Sequence, residues 1–188
     1  MATNPQTRLT YSDLEEMYPE VDNVRRELID GELFVSASPV KRHQAVVLEI
    51  GSAFLTYAKD RGGEAFASPM DVYFSEDNVV EPDVIYVGPD RVDRSEPRFL
   101  RAVTLVVEVS LPSTRRLELL RKRELYERYA VPEYWYVDLD VDRIEIYRLE
   151  GGAFAGPVMM SRGKAIASPE LPGFSAQVDD LLGPDPGD

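Results

Sequence analysis

Apolar residues recur along this chain at two spacings, and the switches between them mark out its elements. His43, Val47, Ile50, Phe54 and Tyr57 are spaced 4, 3, 4 and 3, which is one face of a helix. That helix is predicted to open at Ser38-Pro39, with proline in the first turn, and to run to about Asp60 before Gly62-Gly63. Arg115, Leu119, Lys122, Tyr126 and Tyr129 repeat the same spacing, so a second long helix is expected over Arg115–Tyr129. Ser12–Tyr18 reads as a short helix capped by Ser12 and stopped at Pro19.

Elsewhere the pattern is that of strands. Arg25–Ile29 and Glu32–Ser36 flank Asp30-Gly31, a strong hairpin signal. Extended segments are expected over Glu64–Phe74 and Val79–Val87, with Glu76-Asp77-Asn78 as the turn. Gly88–Arg101 is polar and reads as a surface loop, whereas Val103–Val109 is the near-continuous apolar run of a strand covered on both faces. Leu111–Thr114 forms a break and a cap, and strands follow at Pro132–Asp138 and Arg143–Leu149. After Gly151-Gly152 only short extended segments are expected, and Gly183–Asp188 reads as a disordered tail. The order predicts an α/β (α+β) fold, a mixed central sheet flanked by helices, in one domain over residues 1–182.

Composition narrows the chemistry. With no cysteine, disulfides, thiolate zinc sites and cysteine nucleophiles are excluded. Met1–Arg8 is polar and lacks an apolar signal region, so a cytoplasmic protein without a membrane span is expected. No glycine-rich phosphate loop is present. The net charge of −13 works against simple electrostatic attraction to nucleic acid. Two local basic clusters, Lys41-Arg42-His43 and Arg115–Arg128, run against that total.

Charges also stand where a packed core would not want them. Pro82-Asp83 interrupts the apolar stretch Val79–Val87, and Glu108 interrupts Val103–Val109. Strand alternation puts Asp83 on one face with Ile85, and Glu108 on one face with Val106. If the two strands are neighbours, the carboxylates converge, and they repel unless a proton or a cation lies between them. Lys122 falls on the inward stripe of its helix, between Leu119 and Tyr126. Two carboxylates and an inward lysine are the parts of a metal-dependent phosphodiesterase site, with Mg²⁺ the fitting metal. A turn-capping Asp83 and a plain Glu108–Lys122 ion pair remain structural alternatives for the same residues. His43 reads as a boundary histidine or an accessory to the site, and Glu32 as an edge residue.

At these residues the sequence resembles the Uma family of restriction endonucleases, within the PD-(D/E)xK nuclease superfamily. The matching pieces are Asp30-Gly31-Glu32, His43, Pro82-Asp83, Val107-Glu108-Val109-Ser110, Pro112-Ser113-Thr114, Lys122 with Tyr126, and Val131–Trp135 with Asp138. The ending Ser168–Gly173 is also similar, so the resemblance spans about Leu9–Leu182. It implies a restriction-endonuclease-like core and Mg²⁺-dependent hydrolysis of DNA phosphodiesters, with Mn²⁺ as a substitute metal. It further implies Asp83, Glu108 and Val109 at the metal, Lys122 as the catalytic lysine, and Glu32 and His43 as accessory groups. The superfamily's lysine commonly stands two residues after the second acid. Here that place is Ser110, and Lys122 is read as the migrated equivalent. A nuclease fold that has lost activity and serves as a binding or regulatory module is the alternative, and a small-substrate hydrolase a more distant one. A homodimer would suit duplex cleavage.

Overall fold

The computed structural model describes residues 8–19, 24–36, 39–110 and 112–184, the side chains of 112–118 excepted. Ser38 as a helix opener, Leu111 as a break and most of the expected C-terminal tail lie outside the described residues.

The chain runs α1 (Tyr11–Met17), β1 (Arg25–Ile29), β2 (Glu32–Ser36), α2 (Lys41–Arg61), β3 (Glu64–Ala67), β4 (Val72–Ser75), β5 (Asn78–Val80), β6 (Val84–Val87) and β7 (Leu105–Ser110). It continues α3 (Pro112–Arg128), β8 (Glu133–Asp138), β9 (Arg143–Glu150), β10 (Ala153–Phe154), β11 (Val158–Ser161), β12 (Ala165–Ser168), β13 (Leu171–Gln177) and α4 (Val178–Leu182). The expected mixed α/β architecture is present. A seven-stranded sheet has the order β10-β9-β8-β7-β6-β3, with β11 also on β9, and a four-stranded sheet has the order β2-β1-β5-β4. β12 and β13 pair separately. Within the larger sheet β7 and β8 are parallel, joined by α3 as a crossover, and the other pairings are antiparallel.

Two cores form on opposite faces of the larger sheet. On one face, Val47, Ile50 and Phe54 of α2 pack against Val84, Leu105, Val107, Val109 and Trp135, and α4 closes that side with Leu181 and Leu182. On the other face, Leu125 and Tyr126 of α3 pack with Ile85, Val106, Tyr134 and Tyr147, joined by Ile29, Val72 and Val80 of the smaller sheet. β7 is buried along its whole length, as its apolar run predicts. Its alternation sends Leu105, Val107 and Val109 to the α2 side, which leaves Val106, Glu108 and Ser110 on the α3 side.

Several boundaries differ from the sequence expectation. α1 is capped by Thr10 rather than Ser12, through a capping box in which Thr10 and Asp13 satisfy each other's backbone donors. Pro39 precedes α2, whose N-cap is Val40. The stretch Val79–Val87 is two strands, β5 in the smaller sheet and β6 in the larger. Glu81, Pro82 and Asp83 form the passage between them, where proline, which lacks an N–H, leaves no ladder bond unmade. Glu64–Phe74 likewise divides into β3 and β4. α4 was expected as extended chain; its five residues are too few for a helical period to show.

Candidate nuclease site

The passage from β5 to β6 lies at the seam between the sheets, and Asp83 is its last residue. β6 runs antiparallel to β7 with Val84 opposite Val107, so one further step sets Asp83 against Glu108. Both are buried, at 1 % and 3 % exposure. Asp83 Oδ2 accepts the backbone N–H of Val109 at 2.8 Å and stands 3.2 Å from His43 Nε2. A carboxylate only accepts, so this nitrogen of His43 carries the proton. Arg42 fixes the helix turn that holds His43: it donates to the carbonyl of Leu139 at 2.5 Å and pairs with Asp142.

α3 brings the lysine. Its inward stripe buries Lys122 to 1 % exposure beside Leu125 and Tyr126. Lys122 Nζ donates to both oxygens of Glu108, at 3.0 and 3.2 Å, and lies 2.7 Å from Glu27 Oε1. Tyr126 adds a phenol hydrogen bond to Glu108 Oε1 at 2.5 Å. β1 supplies two groups more. Glu27, fully buried, accepts the backbone N–H of Glu81 at 2.7 Å and so holds the passage that leads to Asp83. Arg25 Nη1 donates to Asp83 Oδ1 at 2.8 Å. Its Nη2 donates to the Glu81 carbonyl and lies 3.4 Å from Glu27 and 3.6 Å from Glu108 Oε2.

Three carboxylates therefore share two cations, and the shortage shows in their acidities. Burial pushes Asp83 up, but the His43 hydrogen bond and the Arg25 charge outweigh it and hold its carboxyl well below the ordinary range. Glu27 is also lowered, burial being outweighed by Lys122 and Arg25. Glu108 is raised to about 7, by burial first and then by Asp83 across the strands, despite Lys122. Of the three carboxylates, Glu108 is the one that burial and its neighbours favour in the protonated form. Lys122 keeps its charge: burial and Arg25 lower it, while Glu108, Glu27 and Asp83 raise it further.

The structure thus brings Asp83, Glu108, Lys122 and His43 together. It does not bring Glu32. That residue sits on the edge strand β2 beside the hairpin turn, exposed, in an ion pair with Arg121. The acid that reaches the cluster is Glu27, on the inner strand of the same hairpin. Val109 turns its side chain into the α2 core, and its N–H, a donor, holds Asp83. Arg25 and Glu27 went unread in the sequence. The available signal was their alternation with the buried Ile29, which puts all three on one face.

A divalent cation fits this donor set in charge and chemistry. Asp83 and Glu108 are buried acid ligands on adjacent strands, and Glu27 Oε2 is buried without a hydrogen-bond partner. Among the described residues, however, no three histidine, aspartate or glutamate side chains form a ready cation cage. Arg25 and Lys122 stand between the carboxylates.

The family model Uma2, described as "Putative restriction endonuclease", matches residues 11–179. The chain belongs to the Uma2 family. As a Uma2 protein it shares its fold with a crystal structure titled as a putative nuclease belonging to DUF820 from Anabaena variabilis. The two agree with a TM-score of 0.72 at 19% sequence identity, covering 84% of this chain and 89% of that one. No curated protein matches the sequence. The Uma2 match includes every residue of the cluster, from Arg25 to Tyr126. Among the described residues of this Uma2 chain, no helix is long and apolar enough to cross a membrane.

Proposed function

We propose that this Uma2 protein is a Mg²⁺-dependent endonuclease that hydrolyses phosphodiester bonds of DNA in the cytoplasm. One observation carries the reading: Asp83 and Glu108, buried and opposed across β6 and β7, converge with a fully buried lysine on α3. Asp83 and Glu108 are the proposed metal ligands, for Mg²⁺ or Mn²⁺. When bound, such an ion supplies Lewis-acid polarisation of the phosphate and a more acidic water.

The chain's own groups do the rest. The Val109 N–H and His43 Nε2–H fix the Asp83 carboxylate, and Tyr126 fixes Glu108. Lys122 Nζ, held by Glu27 and Glu108, is a preorganised cation in a dry setting, suited to charge that develops on a phosphate oxygen. Solvent approaches the cluster at Arg25 and His43, whose side chains are 17% and 14% exposed, and substrate would enter there. Cleavage of both strands of a duplex calls for two copies about a two-fold axis, so a homodimer is part of the proposal.

The test is cleavage of supercoiled plasmid with Mg²⁺ or Mn²⁺ by the wild type and by Asp83→Ala. Outer partners of metal ligands are worth ~10–100-fold. Loss of a ligand should therefore lower the rate by at least ~100-fold, with far-UV circular dichroism unchanged. Undiminished cleavage by the variant overturns the assignment. The alternative, an inactive nuclease fold acting as a binding or regulatory module, draws on Arg25 lying across both carboxylates. It is favoured if the wild type neither cleaves nor binds metal.

A further inference from the structure

We propose that Arg25 is the resident cation of this site: its guanidinium bridges Asp83 and Glu108, and a divalent metal binds by displacing it. The inference rests on the reading of Asp83 and Glu108 as metal ligands.

The geometry is that of a substitute ion. One planar fork reaches Asp83 Oδ1 at 2.8 Å and Glu108 Oε2 at 3.6 Å, and touches Glu27 at 3.4 Å. Lys122 cannot serve this way. It contacts Glu108 and Glu27 but makes no ion pair with Asp83 among the described residues, so Arg25 alone spans the two proposed ligands. Lys122 is also sealed in, with a side chain 1% exposed against 17% for Arg25, so only Arg25 can withdraw to water without opening the core. Arg25 is not fully satisfied where it stands, because its Nε is buried without a hydrogen-bond partner. That loosens its hold relative to a guanidinium with every donor engaged.

Charge decides between addition and exchange. Glu27, Asp83 and Glu108 against Arg25 and Lys122 leave one negative charge when all are ionised. Adding a divalent ion to that set would leave a buried positive charge. Exchanging it for Arg25 leaves three carboxylates, one lysine and two metal charges, which balance. Buried charge is tolerated when it is balanced, so the metal takes Arg25's place. The consequence is a site that stays closed to metal until the free ion outcompetes an internal cation.

Calorimetric titration of MnCl₂ into wild type, Arg25→Met and Arg25→Lys tests this. Arg25→Met is expected to bind at least about tenfold more tightly than wild type. Arg25→Lys, whose point charge cannot span both carboxylates, should fall between them and guards against misfolding of the methionine variant. In the wild type itself, the Arg25 Nε–H resonance should shift as Mg²⁺ is added, with the midpoint of metal binding. Wild-type binding that the variants match or weaken, or an unmoved resonance while metal binds, overturns the exchange and leaves the metal site standing. No binding by any of the three proteins overturns the metal reading and the exchange with it.

Discussion

At the scale of single residues, the site's chemistry follows from a shortage of positive charge. Glu108 is raised to about 7 from an ordinary 4.5. Between those values the unfolded chain has released the proton and the folded one retains it, so stability falls as pH rises through that window. Asp83 acts oppositely: its lowered carboxyl contributes stability that is fully present at neutral pH and is lost only in strong acid. Urea unfolding at pH 5, 6, 7 and 8 should show a smaller decline for Glu108→Gln than for wild type, with a remainder from Glu81, also raised to about 7. An undiminished decline in that variant would contradict the assignment. Asp83, Glu108 and Lys122 were legible because each breaks an apolar pattern. Arg25 and Glu27 were harder to read, because Leu28 and Ile29 are both apolar and both buried, so the alternation of Arg25 and Glu27 with Ile29 is weakly marked.

At the scale of elements, the hairpin β1–β2 matters because it carries Arg25 and Glu27 into the cluster. Its register, Ile29 opposite Glu32, is set by a two-residue turn in which Asp30 and Gly31 have φ of 53° and 73°. A Cβ at Gly31 would also lie 2.7 Å from the Cβ of Arg8. Gly31→Ala is therefore expected to cost about 1–2 kcal/mol in chemical denaturation, whereas the same exchange inside a helix or strand is usually stabilising. A neutral result would show that the turn relaxes freely. The Asp30-Gly31 turn was plain in the sequence, as were the two long helices and β7. The division of Val79–Val87 between two sheets was not. Both halves have the same apolar composition, and only tertiary pairing separates them.

For the whole molecule, the charge of −13 constrains how a duplex would be held under the proposed function. Arg42, Arg98, Arg121, Arg128, Arg143 and Arg148 are each already paired with a carboxylate. These six are engaged within the fold, and with the net charge of −13 affinity for DNA should depend weakly on salt. The expected slope of log K against log salt is no steeper than about −3, or roughly three phosphate contacts. Fluorescence anisotropy with a labelled duplex between about 50 and 200 mM salt would measure it, and a slope beyond about −6 would contradict the picture. The chain also carries an optical reporter of one of its halves. Trp135, the single tryptophan, is fully buried on the α2 side of the large sheet, edge-on to Phe54 at 5.4 Å. Its emission follows the opening of that core, while events among Arg25, Asp83 and Glu108 pass without colour. Fluorescence and the proposed metal binding would thus observe different parts of the same fold, joined through β7, whose Val107 and Glu108 face opposite sides, and through α2, which carries both His43 and Phe54.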